Sequence, residues 1–233
     1  MKLLLVAALL AQVSTPPAAH VQNKTIQVEG LGAITYGISV PNDYRPEQPR
    51  PLILALHPGG GGGMAFYGSN FMRSIVLGPL GELRAIIVAP DCSARAWGDP
   101  KCDQAVMALL KKVQQEYTID RRRVLVTGFS MGGRGTWFMA SHHPDLFTAA
   151  IPMAASTGDE PVDRLAKMPT YVIHSRDDER VPFEPAEKNA RELEKLGRTI
   201  RFEELHGVGH FSMGGYTGAL RRAGRWVEER WGQ

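Results

Sequence analysis

The chain has little of several things that mark specialised proteins. Only two of its 233 residues are cysteines, Cys92 and Cys102. Two cysteines without nearby histidines do not make a zinc site. Charge bias is nearly absent, with 27 Lys+Arg against 24 Asp+Glu and a formal net charge of +3. Basic residues are scattered, apart from Arg121-Arg122-Arg123, which reads as a solvated corner. A nucleic-acid footprint is therefore not expected. Past the first residues, no run is long and apolar enough for a transmembrane helix, which needs about 20 residues, so stable membrane insertion is not expected. No internal repeat or linker divides the chain.

The remaining composition is that of an ordinary globular protein, 43% hydrophobic and 22% charged, and its length suits one domain with one large core. The first residues differ from the rest. Met1-Lys2 gives a positive start, residues 3–13 are almost wholly apolar, and Ser14-Thr15-Pro16-Pro17-Ala18-Ala19 follows. Those are the parts of a secretory signal, so residues 1–19 are expected to be a leader and residues 20–233 a single exported domain. In an oxidising compartment Cys92 and Cys102 could close a local disulfide, with two free thiols as the alternative.

Residues 25–29 and 33–40 alternate in polarity around Gly30-Leu31-Gly32, the pattern of an antiparallel hairpin. Residues 41–51 are Pro-rich and polar, hence a loop. Continuous apolar runs follow at residues 52–56, 85–89, 124–127 and 171–173, with a weaker one at 149–152. Such strands are buried on both faces, as in a parallel sheet covered by helices. Helical periodicity separates them over residues 103–117, 131–142, 184–196 and 216–231. The alternation implies a mostly parallel α/β sheet with helices on both faces, and function then collects at the carboxyl ends of the strands.

The sharpest signal lies there. Gly128-Phe129-Ser130-Met131-Gly132 follows a buried strand and opens a helix, the context in which G-x-S-x-G presents a nucleophile. The turn holds Ser130 in a strained conformation and leaves the Met131 N–H at a helix start, aimed where an oxyanion forms. A serine needs a base, and the base an orienting acid, in the chain order Ser, Asp, His. After the strand at 171–173 both Asp177 and Asp178 are candidate acids. After the last strand, residues 199–205, His206-Gly207-Val208-Gly209-His210 supplies two histidines. His210 is expected to be the base, because the glycines let its loop reach back over Ser130, and His206 is expected to be a structural histidine or one that supports the base from behind. His142 and His143 end a helix before Pro144, an ordinary capping position. The second oxyanion donor is expected from His57-Pro58-Gly59-Gly60-Gly61-Gly62-Gly63. Pro58 has no N–H, so the donor is Gly59 or a neighbour such as Gly60. The glycines lack the Lys-Ser/Thr ending of a phosphate-binding loop.

Together these stretches resemble the α/β-hydrolase superfamily, in its branch of small carboxylesterases, feruloyl-esterase-like and polyhydroxybutyrate-depolymerase-like proteins. The likeness runs from Tyr36-Gly37-Ile38-Ser39-Val40-Pro41 through Leu56-His57, Tyr117-Thr118-Ile119-Asp120, the Ser130 motif, His143-Pro144-Asp145-Leu146-Phe147 and residues 174–182 to Gly207-Val208-Gly209-His210. It covers nearly all of the chain after the leader. It implies Asp178 as the acid and ester hydrolysis through an acyl-enzyme without a cofactor, on a small-molecule or polymer-linked ester. Pro58 departs from the family, which usually has glycine there. Trp97, in the loop between the cysteines, is expected to line the substrate pocket, with packing as the alternative. The span from residue 151 to 171, where larger relatives insert a lid, holds only a loop and a short helix at 162–167, so an open site is expected. Two other functions fit the same residues: a serine exopeptidase of prolyl-oligopeptidase type, which usually adds a propeller that this chain lacks, and a non-catalytic binding module.

Overall fold

The computed structural model describes residues 20–61, 63–158, 164 and 167–232. The leader expected over residues 1–19 and most of the helix expected over 162–167 lie outside the described residues.

The apolar runs form the middle of an eight-stranded sheet of order β1-β2-β4-β3-β5-β6-β7-β8. β1 (Val21–Val28) and β2 (Gly32–Ser39) are the antiparallel hairpin, turning through Gly30 and Gly32, whose φ angles of 77° and 81° favour glycine. β2 pairs antiparallel with β4 (Ile86–Pro90). β3 (Arg50–Leu56), β5 (Ile119–Phe129), β6 (Ala149–Met153), β7 (Thr170–Ser175) and β8 (Ile200–Leu205) continue it in parallel. Strand alternation divides the core in two. Leu52, Leu54, Leu56, Val124 and Val126 face one side with helices α3 (Pro100–Glu116), α4 (Met131–His142) and α5 (Phe183–Lys195). Ile53, Ala55, Leu125, Tyr171 and Ile173 face the other with α6 (Thr217–Trp231) and the segment 67–83, which holds α1 (Tyr67–Phe71) and α2 (Leu77–Leu80). Both faces being covered explains the unbroken apolar runs. The fold is that expected, an α/β-hydrolase fold.

Several boundaries differ from expectation for local reasons. β3 starts at Arg50, inside the expected loop, because the Arg50 N–H bonds the Thr118 carbonyl at 3.0 Å. β5 starts at Ile119, well before the apolar run, because Ile119 pairs with Arg50 of β3; residues 119–123 are only partly buried or exposed, so no apolar pattern marks them. α3 starts at Pro100 rather than Asp103. Its cap is Asp99, whose carboxylate accepts the Lys101 N–H at 2.9 Å. Asp103 instead bonds His143 Nε2 at 2.7 Å. The helical stretch between residues 67 and 83 had no sequence signal. It is assembled from short pieces of different pitch, Tyr67–Phe71, Met72–Val76, Leu77–Leu80 and Gly81–Leu83, so no single period runs through it.

Cys92 and Cys102 are joined, with their Cα atoms 5.3 Å apart, tying the loop after β4 to the first turn of α3. Closing a loop of this size stabilises the folded state by about 2–3 kcal/mol through the unfolded chain's lost entropy. Cys92→Ser/Cys102→Ser is therefore expected to lower the unfolding free energy by about that amount in urea titration. An unchanged midpoint would show that the bridge does not restrict the unfolded chain as this account requires.

Candidate active site

At the carboxyl end of β5 the chain must turn sharply into α4, and crowding dictates which residues fit. A Cβ on Gly132 would overlap the Leu56 carbonyl oxygen, and one on Gly128 would overlap the Gly132 carbonyl oxygen. With both glycines in place the helix packs directly on β3. Ser130 takes up the turn at φ 55°, ψ −113°, a conformation that costs a non-glycine residue of order 1–3 kcal/mol. Its N–H bonds the Met153 carbonyl at 3.0 Å, and its own carbonyl accepts the Arg134 N–H at 3.0 Å. Met131 is the first residue of α4, so its N–H is among the helix donors without an intrahelical partner.

The loops after β7 and β8 bring the other two residues to Ser130. The Ser130 hydroxyl lies 2.9 Å from His210 Nε2, and His210 Nδ1 lies 2.8 Å from Asp178 Oδ2. A carboxylate only accepts, so Nδ1 carries the proton and Nε2 is left to receive the serine's. Asp178 is held in turn by the N–H groups of Arg180 and Val181, at 2.9 and 2.7 Å from Oδ1. Its side chain is wholly buried. A second buried histidine, His174 of β7, sits 3.6 Å from Asp178 Oδ2 and donates from Nε2 to the Val181 carbonyl at 3.1 Å. Burial holds its pKa below the ordinary histidine value. The relay's environment is completed by Phe129, 5.1 Å from the His210 ring, and by Tyr216. The Tyr216 hydroxyl accepts the Ser175 N–H, and burial pushes its pKa up.

The glycine loop after β3 is shaped by His57. Its Nε2 accepts the Cys92 N–H at 3.0 Å, so that nitrogen is unprotonated. Nδ1 then donates to the Pro58 carbonyl at 2.7 Å. Burial depresses the His57 pKa as well, in keeping with a ring that must stay neutral to make both bonds. Trp97 fixes the same residue, donating from Nε1 to the His57 carbonyl at 3.0 Å. This corrects the expectation that Trp97 lines the substrate pocket. Its indole is only 1% exposed, packed beneath Gly135 and edge-on to the His57 ring. The packing alternative is the one realised.

Ser130, Met131 and His210 open onto a cleft of about 680 Å³ whose walls include Gly59, Gly60, Tyr67 and Phe211. Gly60 has φ 97°, and a Cβ on Gly59 would lie 3.9 Å from the Met131 side chain, so the glycine loop and the start of α4 face each other across the cleft. The Tyr67 ring packs where a Cβ on Gly61 would be. Phe211 is 79% exposed at the rim. His206 is exposed beside Glu204 at 3.1 Å, so it is neither buried as a structural histidine nor set behind the base. His143 is engaged by Asp103. Sequence reasoning missed Glu179, which lines the cleft and accepts the His210 N–H at 2.9 Å. That bond holds the Glu179 carboxyl below the usual carboxylate range. Asp177, the other candidate acid, does not reach His210 Nδ1 and instead accepts the Gly207 N–H at 2.6 Å. The acidic run beside His-Gly-x-Gly-His was the available signal.

A serine–histidine–aspartate relay at a strained strand-to-helix turn, on this sheet, defines an α/β-hydrolase. The profile of the dienelactone hydrolase family matches residues 90–214, more than half of the chain, and the chain belongs to that family. Among curated proteins it is 26% identical over 158 residues to "Probable feruloyl esterase C" of Aspergillus flavus, covering 64% of this chain and 56% of that protein. It is 23% identical over 180 residues to "Feruloyl esterase C" of Emericella nidulans, covering 73% and 64%. A solved thermostable esterase superposes on 90% of the chain with TM-score 0.78 and 28% identity, and 62% of that structure is covered. The matches thus span 56–64% of the length of these relatives.

Two buried histidines with depressed pKa values carry a pH consequence. The unfolded chain takes up protons near the ordinary value of 6.5, while the folded chain resists protonation at His57 and His174. Stability is therefore fully present above pH 6.5 and falls as pH drops through 6.5 towards the folded values, each group contributing a slope of up to about 1.4 kcal/mol per pH unit. Urea titrations between neutral pH and pH 5 are expected to show this fall, with a shallower slope in His174→Asn. Stability that stays level over the range would contradict neutral, buried imidazoles.

Proposed function

We propose that the chain is a serine esterase that hydrolyses carboxylic esters through an acyl-enzyme. The observation that carries this reading is the unbroken relay Asp178–His210–Ser130, with Ser130 held at its strained turn in an open cleft. In the reaction Ser130 Oγ attacks the ester carbonyl carbon while His210 Nε2 takes the hydroxyl proton. Asp178 holds the imidazole and balances the charge it gains. The carbonyl oxygen, now an oxyanion, accepts hydrogen bonds from the Met131 N–H and from Gly59 or Gly60 across the cleft. The tetrahedral intermediate collapses, the bond to the alcohol oxygen breaks, and His210 returns its proton to the departing alcohol. Water, deprotonated by His210, then attacks the acyl carbon and releases the acid, restoring Ser130.

No cofactor enters these steps. The names of the relatives, feruloyl esterases and an esterase, agree with an ester substrate. The cleft, which sets Tyr67, Phe129, Phe211 and Met213 beside Arg95, Glu179 and Arg180, suits a small-molecule or polymer-linked ester. The leader read in residues 1–19 and the Cys92–Cys102 bridge support action outside the cytoplasm, in the periplasm or the medium.

Hydrolysis of p-nitrophenyl esters of increasing acyl length tests the reading. Wild-type protein is expected to show a chain-length optimum. Ser130→Ala and His210→Ala are expected to lose about 10⁴–10⁶ in kcat, and Asp178→Asn about 10⁴. Undiminished turnover in Ser130→Ala would overturn the mechanism. Peptide cleavage without ester turnover would move the chain to the exopeptidase class.

A further inference from the structure

The loops that carry the acid and the base of the relay leave the sheet side by side. β7 ends at Ser175 opposite Leu205, the last residue of β8, and the Arg176 N–H extends that ladder to the Leu205 carbonyl at 2.9 Å. Beyond this point one chain reads Asp177-Asp178-Glu179 and the other His206-Gly207-Val208-Gly209-His210. Each of the three acids bonds the histidine loop at a different point. Asp177 Oδ2 accepts the Gly207 N–H at 2.6 Å, Asp178 Oδ2 meets His210 Nδ1 at 2.8 Å, and Glu179 Oε2 accepts the His210 backbone N–H at 2.9 Å.

Local turn chemistry accounts for Asp178 but not for its neighbours. The turn after β7 is closed by the Asp178 N–H on the Ser175 carbonyl and the Asp177 N–H on Ser175 Oγ, both at 3.3 Å. Asp178 Oδ1 satisfies Arg180 and Val181. The carboxylates of Asp177 and Glu179 serve none of these bonds, and neither forms an ion pair among the described residues. Both reach across to the other loop. The receiving loop is shaped for them. Gly207 has φ 69°, and a Cβ on Gly209 would stand 2.9 Å from Glu179 Oε2, so a larger residue would push the carboxylate off the His210 N–H. Three adjacent carboxylates repel one another, a cost that the N–H groups of the opposite loop offset.

We propose that Asp177 and Glu179 are positioning residues, a pair of carboxylate clamps on the backbone of residues 207–210 that hold the His210 imidazole between Asp178 and Ser130. The inference rests on the serine-esterase reading for its kinetic consequence, but not for its structural one. A displacement of the base by about 1 Å costs up to about 10²-fold in rate, so loss of either clamp acts on the chemical step rather than on ester binding.

The test compares Asp177→Ala, Glu179→Ala, the double variant Asp177→Ala/Glu179→Ala, Asp177→Asn and Glu179→Gln in the full chain. Glu204→Ala serves as a control that breaks exposed pairs with Arg176 and His206 nearby. Amide hydrogen exchange followed by NMR reads the clamps directly. Asp177→Ala is expected to speed exchange at Gly207, and Glu179→Ala at His210, each by about tenfold or more. Asparagine and glutamine keep an accepting oxygen and are expected to restore protection. In ester turnover each alanine variant is expected to lose about tenfold in kcat, and the double variant about 10²-fold, with KM within about threefold of wild type. Glu204→Ala should behave as wild type. Unchanged exchange at both amides, or wild-type kcat in the double alanine variant, would overturn the proposal. So would folded Asn and Gln variants as impaired as the alanine ones. If the wild type turned over no ester, the esterase reading would fail while the exchange data still decided whether the clamps exist.

Discussion

The close approach of α4 to β3 at Gly132 is the constraint on which the rest of the site depends. With the Leu56 carbonyl oxygen lying where any side chain at 132 would start, the helix can begin directly at the strand end, and Ser130 is forced to a positive φ. That one contact lifts the serine hydroxyl above the sheet. It also sets Met131, the first residue of α4, opposite the glycine loop, which emerges from the same strand that Gly132 touches. Ser130 and Met131, the proposed nucleophile and oxyanion donor, are therefore placed by a single packing event between backbone atoms.

Around this centre the supports divide by loop. The glycine loop is held through His57, whose two ring nitrogens are committed to Cys92 and Pro58 and whose carbonyl is committed to Trp97. The disulfide to α3 anchors the strand end that supplies the Cys92 N–H. The base loop is held from the neighbouring loop by consecutive acids, with His174 and Tyr216 buttressing the turn from inside the core. Neither loop has regular structure, so their order comes from side-chain bonds to backbone N–H and C=O groups rather than from a ladder.

How much of this was legible in the sequence follows from how local each signal is. The central strands were, because burial on both faces leaves uninterrupted apolar runs such as 52–56 and 124–127. The Ser130 turn was, because glycine on both sides of a serine between a strand and a helix has few other uses. The helical segment 67–83 was not, since its changes of pitch erase periodicity, and β5 looked short because its first residues are polar. Trp97 was misplaced because a tryptophan in a loop near a site is equally suited to a pocket wall or a packed underside; its N–H found a partner in the His57 carbonyl. Glu179 was passed over, and Asp177 was weighed only as an acid of the triad, because their partners are backbone amides some thirty residues away, and no sequence pattern names a backbone partner.

The central claim is that Ser130 is a hydroxyl activated by His210. Labelling with a fluorophosphonate, followed by intact-mass measurement and peptide mapping, tests it without any assumption about substrate. The account predicts one adduct per folded chain, located on Ser130 and absent from His210→Ala. An unlabelled wild-type protein, an adduct on another residue, or labelling that survives His210→Ala at the wild-type rate would contradict it.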